Sequence, residues 1–472
     1  MPGKQRAQSA QNQIAPAETP DWIFCVSAAT VTLCFALSRG FWSQALIAKG
    51  ALYTLNMLIL SACFYVLVRW EENVRKTNLL CLFAFLCGLG FANHNTFVPL
   101  TVLFFNYIVY AWYKNVNPQK LTPGNVSAFL FYEMLWLGAV FLAFSPEAFK
   151  PLEINAKVEH TLIAFALLLI GAVVYTYDKY RLFWKCMMLV GLGTLLYAYL
   201  PIRSLKNPPL DWGDPETFYT FLNHILRKQF GVGPKQPYTV ILFSKQIFSY
   251  LVEWKNQLTI VLLLASLPGA WLLWKKYRSM FIITSLIYLA LSVGFIIMGN
   301  IDVNTFNNYL LAVFYIPAFF VSCIWLAYSV CFVVARLKNP GVAFLLLFLP
   351  VIPYKTNLFF VDLSRNTVDR EYGMNMLASI EPGAIMFTSG DNATFVLAYF
   401  NMVEGMRKDV TIYDDKGRIF PNIYGKEFLK MGALDYQRAV NQRQRNFINE
   451  NSDKAIYFIL GGIIFNMDDI FR

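Results

Sequence analysis

Charged residues are scarce in this sequence. Only 15% of the 472 residues are Asp, Glu, Lys or Arg, whereas 57% are hydrophobic and 17% are aromatic. Soluble domains carry about 25% charged residues. The shortage of charge therefore excludes an ordinary soluble globular protein and predicts a polytopic membrane protein.

Side chains that bind metals or form disulfides are also few. The three histidines, His94, His160 and His224, are far apart in sequence, and the eight cysteines all lie within apolar stretches without a paired spacing. We therefore predict neither a metal site nor a disulfide framework. The formal net charge of +11 does not indicate nucleic-acid binding, because Lys and Arg cluster at the ends of apolar runs, which is a pattern of membrane topology.

Apolar runs occupy most of residues 22–360, which we predict to form a transmembrane helical domain with a long outer loop at 201–255. A helix needs about 20 mainly apolar residues to cross a bilayer. This criterion predicts about eleven spans, near residues 22–38, 46–68, 78–93, 97–113, 126–144, 160–177, 184–200, 256–274, 279–298, 309–335 and 341–359. Residues 1–21, rich in Gln, Ala and Pro, are predicted to be a disordered cytosolic tail.

The distribution of Lys and Arg predicts that the N-terminus is inside and the C-terminus outside. Basic residues follow every second span, for example in 69–76, 179–185 and 275–278, whereas the connections 93–95 and 299–308 contain none. Cationic connections stay on the cytosolic side. The loop 201–255 and all residues after about 360 should then be extracytoplasmic.

Residues 361–472 have no apolar run of span length, and we predict a small soluble α/β domain there. Strand patterns at 384–388, 410–413 and 455–460 and a helical pattern at 392–406 support this expectation. The turn around Asp391 would bind an anion at the helix start or, as the simpler alternative, Asp391 would cap that helix.

The polar stretch from Tyr199 to Glu216 contains the candidate catalytic acids, Asp211 and Asp214. Carboxylates bind hydroxyl groups or act as bases, and the neighbouring Trp212 offers an aromatic face for stacking on a sugar. The alternative is structural, because the sequence from Asp214 to Thr217 is also a good helix start with Asp214 as cap.

Candidate donor-binding residues are basic or aromatic: Arg203, Lys206, Arg227, His94 and Trp212. Arg203 follows a predicted span, so its guanidinium would pair with a lipid phosphate. Anchoring at the membrane interface is the alternative for such residues. His94 would bind a phosphate or a sugar hydroxyl, or it would only satisfy neighbouring backbone groups at a helix break.

Several motifs, in their order along the chain, resemble a known family. They are Ser38-Arg-Gly-Phe-Trp-Ser-Gln-Ala with Leu52-Tyr-Thr-Leu-Asn, Gly88-Leu-Gly-Phe-Ala-Asn-His, Leu200-Pro-Ile-Arg-Ser with Asn207-Pro-Pro-Leu-Asp and Arg227-Lys-Gln-Phe-Gly, and Ala384-Ile-Met-Phe-Thr-Ser-Gly-Asp-Asn with Gly405-Met-Arg-Lys-Asp-Val-Thr. Together they resemble the GT-C-type polytopic membrane protein O-mannosyltransferase-like family, whose bacterial members include many domains of unknown function.

The resemblance implies a glycosyltransferase that moves a sugar, mannose in the named members, from a polyprenyl-phosphate donor to a protein acceptor on the extracytoplasmic face. The implied partners are membrane lipid, a lipid-linked sugar and a protein, with no nucleic acid and no certain cofactor. Family members have a catalytic acid in the first outer loop, and that segment is not found in this sequence. Beside an active enzyme, a truncated, a split and a non-catalytic form are therefore the alternatives.

The implied location is the bacterial inner membrane, or the endoplasmic reticulum membrane in a eukaryote. A transporter or flippase of a lipid-linked or anionic solute is the alternative function, supported by the number of predicted spans. A third possibility is a scaffold whose outer α/β domain recruits a partner.

Overall fold

The computed structural model describes residues 21–47, 50–116, 178, 180–226, 236–337, 340–420, 422–425, 428, 433–460 and 463–466. The chain forms two compact units, which we describe separately. The first unit comprises Met1–Leu137, Lys185–Thr194 and Gly233–Asp362, and the second comprises Gly138–Trp184, Leu195–Val232 and Leu363–Arg472.

Helices dominate the described part of the chain. In order they are α1 (Asp21–Ala36), α2 (Arg39–Leu46), α3 (Ala51–Glu71), α4 (Thr77–Asn93), α5 (Phe97–Val116), α6 (Arg181–Thr194), α7 (Tyr199–Ser204), α8 (Phe218–Ile225), α9 (Val240–Lys276), α10 (Arg278–Leu289), α11 (Phe295–Gly299), α12 (Thr305–Ala312), α13 (Ile316–Leu337), α14 (Pro340–Leu346), α15 (Val351–Val361), α16 (Val368–Ala378), α17 (Asp391–Ala398) and α18 (Ala433–Glu450). Short 3₁₀ or π-helical turns lie at Leu195–Ala198, Ala290–Gly294, Val313–Tyr315 and Tyr399–Val403. The strands are β1 (Ile385–Thr388), β2 (Thr411–Asp414), β3 (Ile456–Leu460) and β4 (Ile463–Asn466).

Among the described residues, six helical segments are long and apolar enough to cross a membrane. They are Ala51–Glu71, Arg181–Ser204, Val240–Lys276, Arg278–Gly299, Thr305–Arg336 and Phe344–Val361, and α1 with α2, bent by 65°, would make a seventh. The predicted spans at 126–144 and 160–177 lie outside the described residues. The chain is thus a multi-pass membrane protein, while eleven spans and the orientation stay predictions.

Helices of the first unit approach closely where glycines face a neighbour. A Cβ atom added at Gly88 of α4 would lie 2.3 Å from the carbonyl oxygen of Val190 in α6, and one added at Gly269 of α9 would lie 1.7 Å from that of Trp325 in α13. Small residues allow such contacts between membrane helices, whose association depends on close packing. The glycine of the Gly88 motif therefore has a packing role.

Helix α9 begins earlier than the sequence pattern predicts. We expected an outer loop up to residue 255, but the helix starts at Val240, where the Thr239 hydroxyl accepts the backbone N–H of Leu242 at 3.1 Å. Polar residues such as Gln246 and Glu253 made the first turns resemble a loop. Gln246 is buried, and both side chains line a cavity of the first unit.

A four-stranded sheet organises the described C-terminal part of the second unit. The strand order is β2-β1-β3-β4, with β1 parallel to β2 and β3, and β4 antiparallel to β3. Helices α17 and α18 connect the parallel strands, as parallel pairing requires crossovers. The predicted strands and helix are present, but α17 begins at Asp391 with Gly390 (φ +81°) in the cap position, so Asp391 lies in the first turn and does not cap the helix.

Candidate functional site

The two predicted catalytic acids lie together in a turn of the second unit. The Ser204 hydroxyl is 2.7 Å from Oδ2 of Asp211 and 3.4 Å from Oδ1 of Asp214. Carboxylate oxygens of Asp211, Asp214 and Glu216 all lie within 4.8 Å of one another. Such a cluster can hold a hard cation or a proton.

Residues 211–216, which we call the acidic turn, are held by backbone hydrogen bonds to the segment after β2. The N–H of Asp211 donates to the carbonyl of Ile419 at 2.9 Å, and that of Gly213 donates to the carbonyl of Arg418 at 2.7 Å. Hydrogen bonds also position the accepting segment, because the buried carboxylate of Asp414 accepts backbone N–H groups from residues 416, 418 and 419. The turn needs left-handed backbone at Gly213 (φ +78°) and Asp214 (φ +44°), and Asp is among the residues that tolerate this region.

The helix-cap alternative for Asp214 is wrong. Helix α8 begins at Phe218, and its N-cap is Thr217, which forms a capping box with Thr220. Asp214 therefore lies in the turn before the helix, and its bond to Ser204 orients it. Ser204 was missed as a partner of the two aspartates, because only the folded turn brings its hydroxyl to them.

Trp212 is less accessible than the sequence interpretation required. Its ring is half-buried, with its centroid 5.4 Å from that of Phe395 in α17, and it packs against the core of the sheet domain. This contact anchors the turn. The ring face left for stacking on a sugar is therefore smaller than that of an exposed tryptophan, and a role in donor binding stays a prediction.

The structure describes two of the three basic residues that were predicted to bind the donor. Arg203, at the end of α7, and Lys206 in the following turn are both exposed, and they precede the acidic turn within the same unit. Arg227 lies outside the described residues.

His94 belongs to the first unit and is only 4% exposed. It lies just after α4, where its Nδ1 accepts the backbone N–H of Thr96 at 3.2 Å and lies 2.8 Å from the Thr96 hydroxyl. Tyr53 and Phe314 pack against the imidazole ring. These are the contacts expected from a histidine that satisfies a helix break, and a role in donor binding stays a prediction.

The carboxyl edge of the parallel strands contains a further acid. Burial raises the pKa of Asp415, which follows β2, and a hydrogen bond from Ser389 opposes this effect. Ligands of open α/β sheets bind at this edge. The sequence pattern gave no reason to select Asp415, because its burial comes from long-range packing.

The first unit contains a separate polar region. A cavity of about 430 Å³ is lined by residues of α2, the first half of α9, and residues 295–315, including Arg39, Glu253, Gln257 and Asn300. Sequence reasoning did not select Arg39 or Glu253 as site residues. The signal that the sequence offered for this site was the acid Glu253 within the amphipathic first half of α9.

Comparisons with known proteins agree on one family. The family model described as protein O-mannosyl-transferase TMEM260 N-terminal domain matches residues 4–122, and TMEM260-associated domain 2 matches residues 369–415. Mouse (Mus musculus) protein O-mannosyl-transferase TMEM260 is 25% identical over 414 residues, which cover 81% of this chain and 48% of the mouse protein. The chain thus spans about half the length of this curated relative, and no solved structure matches it.

The matches fall in both units and include the Gly88 and Gly405 motifs. The resemblance expected from these motifs is confirmed, and the chain is related to the protein O-mannosyltransferase-like family.

Proposed function

We propose that this chain is a membrane glycosyltransferase that transfers a sugar from a polyprenyl-phosphate donor to a protein acceptor on the extracytoplasmic face of a bacterial inner membrane, or of the endoplasmic reticulum in a eukaryote. The observation that carries the proposal is the similarity to a protein O-mannosyl-transferase over 81% of the chain. The name of that relative makes mannose the sugar to test first.

In the proposed reaction, the acidic turn provides the general base. One of the carboxylates, Asp211 or Asp214, accepts the proton of the acceptor hydroxyl while the hydroxyl oxygen attacks the anomeric carbon. The bond from that carbon to the phosphate oxygen breaks, and polyprenyl phosphate leaves. Arg203 binds the phosphate, since a guanidinium matches phosphate oxygens bidentately.

The bond from Ser204 to Asp211 supports this assignment, because it orients a carboxylate that is only half-buried. A fixed carboxylate transfers protons more effectively than a mobile one, since reaction geometry is set before the substrate arrives.

The test is sugar transfer by the full chain in proteoliposomes that contain polyprenyl-phosphate mannose and an acceptor protein. Replacing the general base, by Asp211→Asn or Asp214→Asn, should lower the rate about 10²- to 10⁴-fold. Asp453→Asn, which changes an exposed acid of the same unit, is the matched control and should keep the wild-type rate.

Full transfer by both turn variants would remove the acidic turn from catalysis. Absence of transfer by the wild-type chain, with intact folding and donor present, would contradict the proposed function itself.

A transporter or flippase is the second candidate, and one observation favours it. Helix α9 is broken inside a candidate span at Thr259 (φ +70°), near the polar cavity of the first unit. Broken helices beside polar cavities are typical of secondary transporters. Movement of the lipid-linked sugar across the bilayer, without a glycosylated product, would favour this function.

A further inference from the structure

The cavity of the first unit is polar although the unit is built of apolar helices. Its volume is about 430 Å³, and its lining includes Arg39, Gln44, Gln246, Glu253 and Asn300. Ligand pockets commonly have volumes of about 300–1,000 Å³. Ionisable and amide side chains inside a membrane domain are costly and usually mark a functional site.

Two helix breaks meet beside this cavity. One is the 65° bend between α1 and α2, and the other is the positive φ of Thr259 within α9. The amide of Asn357 bridges them, since its Nδ2 donates to the carbonyl of Leu37 at 2.9 Å and to that of Gln257 at 3.3 Å. Irregular backbone at membrane depth is tolerated where it is buried in protein or lines a wet cavity.

A chain of hydrogen bonds fixes the acid of the cavity. Gln257 donates through Nε2 to Oε1 of Glu253 at 2.5 Å, and its own Oε1 accepts the backbone N–H of Gly40 at 2.5 Å. Among the described residues, Oε2 of Glu253 has no hydrogen-bond partner. Glu253 therefore keeps an acceptor for a ligand hydroxyl.

Arg39 supplies the positive charge of the cavity. Its guanidinium lies 4.2 Å from the ring centroid of Phe360, a cation–π contact that holds the planar group in place. No ion pair joins it to a carboxylate in the described part of the chain. Its five N–H donors suit the oxygens of a phosphate group.

We propose that this cavity is a separate binding site for the polar head of a lipid-linked sugar phosphate, occupied before the donor reaches Arg203 and the acidic turn, with Arg39 on the phosphate and Glu253 on the sugar hydroxyls. The choice of a lipid-linked sugar rests on the proposed function, and the sugar phosphate chemistry rests on the cavity. The amides of Gln44, Gln246 and Asn300 provide further donors and acceptors for a polyhydroxylated head.

The test is probe binding to the purified full chain in nanodiscs. The probes are polyprenyl-phosphate mannose, polyprenyl phosphate without sugar, and water-soluble mannose 1-phosphate. Arg39→Gln should weaken binding of both lipid probes about ten- to a hundredfold, the loss typical of a charge-assisted hydrogen bond. Glu253→Gln, which keeps the bond to Gln257 possible, should lower the affinity for the sugar-bearing lipid toward that for the lipid without sugar.

The third probe, mannose 1-phosphate, tests whether binding requires the lipid. Mannose 1-phosphate should bind more weakly than polyprenyl-phosphate mannose, and equal affinities would show that a free sugar phosphate is the ligand, which contradicts a lipid-linked one.

Lys255→Gln is the matched control, because this exposed lysine lies on α9 two residues from Glu253 and does not line the cavity. It should bind all probes as wild type does. Asn308→Trp, which fills the cavity from α12, is a second variant in case Arg39→Gln fails to fold. Wild-type affinity in Asn308→Trp and in any folded Arg39→Gln protein would overturn the site.

The two proposals fail in different ways. Donor binding that depends on Arg39 in a chain that transfers no sugar would contradict the glycosyltransferase and support the site. Sugar transfer by a chain whose donor affinity is unaffected by Arg39→Gln would contradict the site and leave the glycosyltransferase intact.

Discussion

Arg407 shows how a residue of a family motif can be structural. Its guanidinium donates to the backbone carbonyls of Leu377, in the last turn of α16, and of Ile380 and Glu381, which follow the helix, and it pairs with Asp409 at 2.9 Å. Asp409 in turn accepts the N–H of Gly383 at 3.0 Å. These bonds tie the end of α16 to the loop before β2, so the Gly405 motif maintains the sheet domain.

Asp409 gives a prediction for pH dependence. The Arg407 guanidinium and the Gly383 N–H hold the pKa of Asp409 well below its usual range. A lowered pKa stabilises the fold above the unfolded value of about 3.9, and this contribution is lost progressively as the pH falls from that value toward the lower pKa of the folded state. Asp409→Asn should therefore unfold at a lower temperature than wild type at pH 7, and the difference should shrink at pH 3.

Thermal unfolding of the full chain in detergent, monitored by tryptophan fluorescence, measures this effect. Asp453→Asn is the control, since Asp453 is exposed and lies outside the Arg407 contacts. An equal difference between Asp409→Asn and wild type at both pH values would show that the ion pair does not set the pH dependence.

At the scale of elements, glycine positions decide how α4 and α6 pack. A Cβ atom added at Gly193 would lie 2.7 Å from the backbone N of Leu89 and 2.7 Å from the carbonyl oxygen of Phe85. One added at Gly191, on the same helix, would meet nothing within 4 Å. The two glycines are therefore a matched pair for testing this contact.

Gly193→Ala should lower the free energy of unfolding by about 1–3 kcal/mol, the usual cost of forcing a methyl group into a packed contact. Gly191→Ala should be neutral or slightly stabilising, because alanine is a better helix former than glycine. Thermal unfolding in detergent compares the two. Equal destabilisation by both would indicate a loss of helix flexibility rather than a steric clash.

The elements themselves were predictable to different degrees. The strands at 385–388, 411–414 and 456–460 follow local apolar runs bounded by Gly, Asp or Asn, and such runs identified them in advance. The start of α9 was not predicted, since Gln246 and Glu253 are polar for reasons that only the cavity explains.

For the whole molecule, the orientation in the membrane is the main prediction that the Lys and Arg pattern makes. Lys206→Cys and Lys408→Cys should react with a membrane-impermeant maleimide from the extracytoplasmic side, whereas Lys275→Cys should react only after permeabilisation. All three lysines are exposed side chains. A variant without the eight native cysteines is the background.

Labelling of Lys206→Cys and Lys408→Cys from opposite sides would contradict the predicted topology. It would also remove the extracytoplasmic site of sugar transfer, because the acidic turn and the sheet domain would not share a compartment.

The sequence by itself determined that this protein lies in a membrane and that its C-terminal part forms the strands and helices of a sheet domain. The length of an apolar span and the spacing of apolar residues are local properties of the chain. Tertiary structure alone decided which polar groups meet. Gly40 and Gln257 are 217 residues apart, and Leu37 and Asn357 are 320 apart. No local pattern encodes such contacts, since they depend on how broken helices pack.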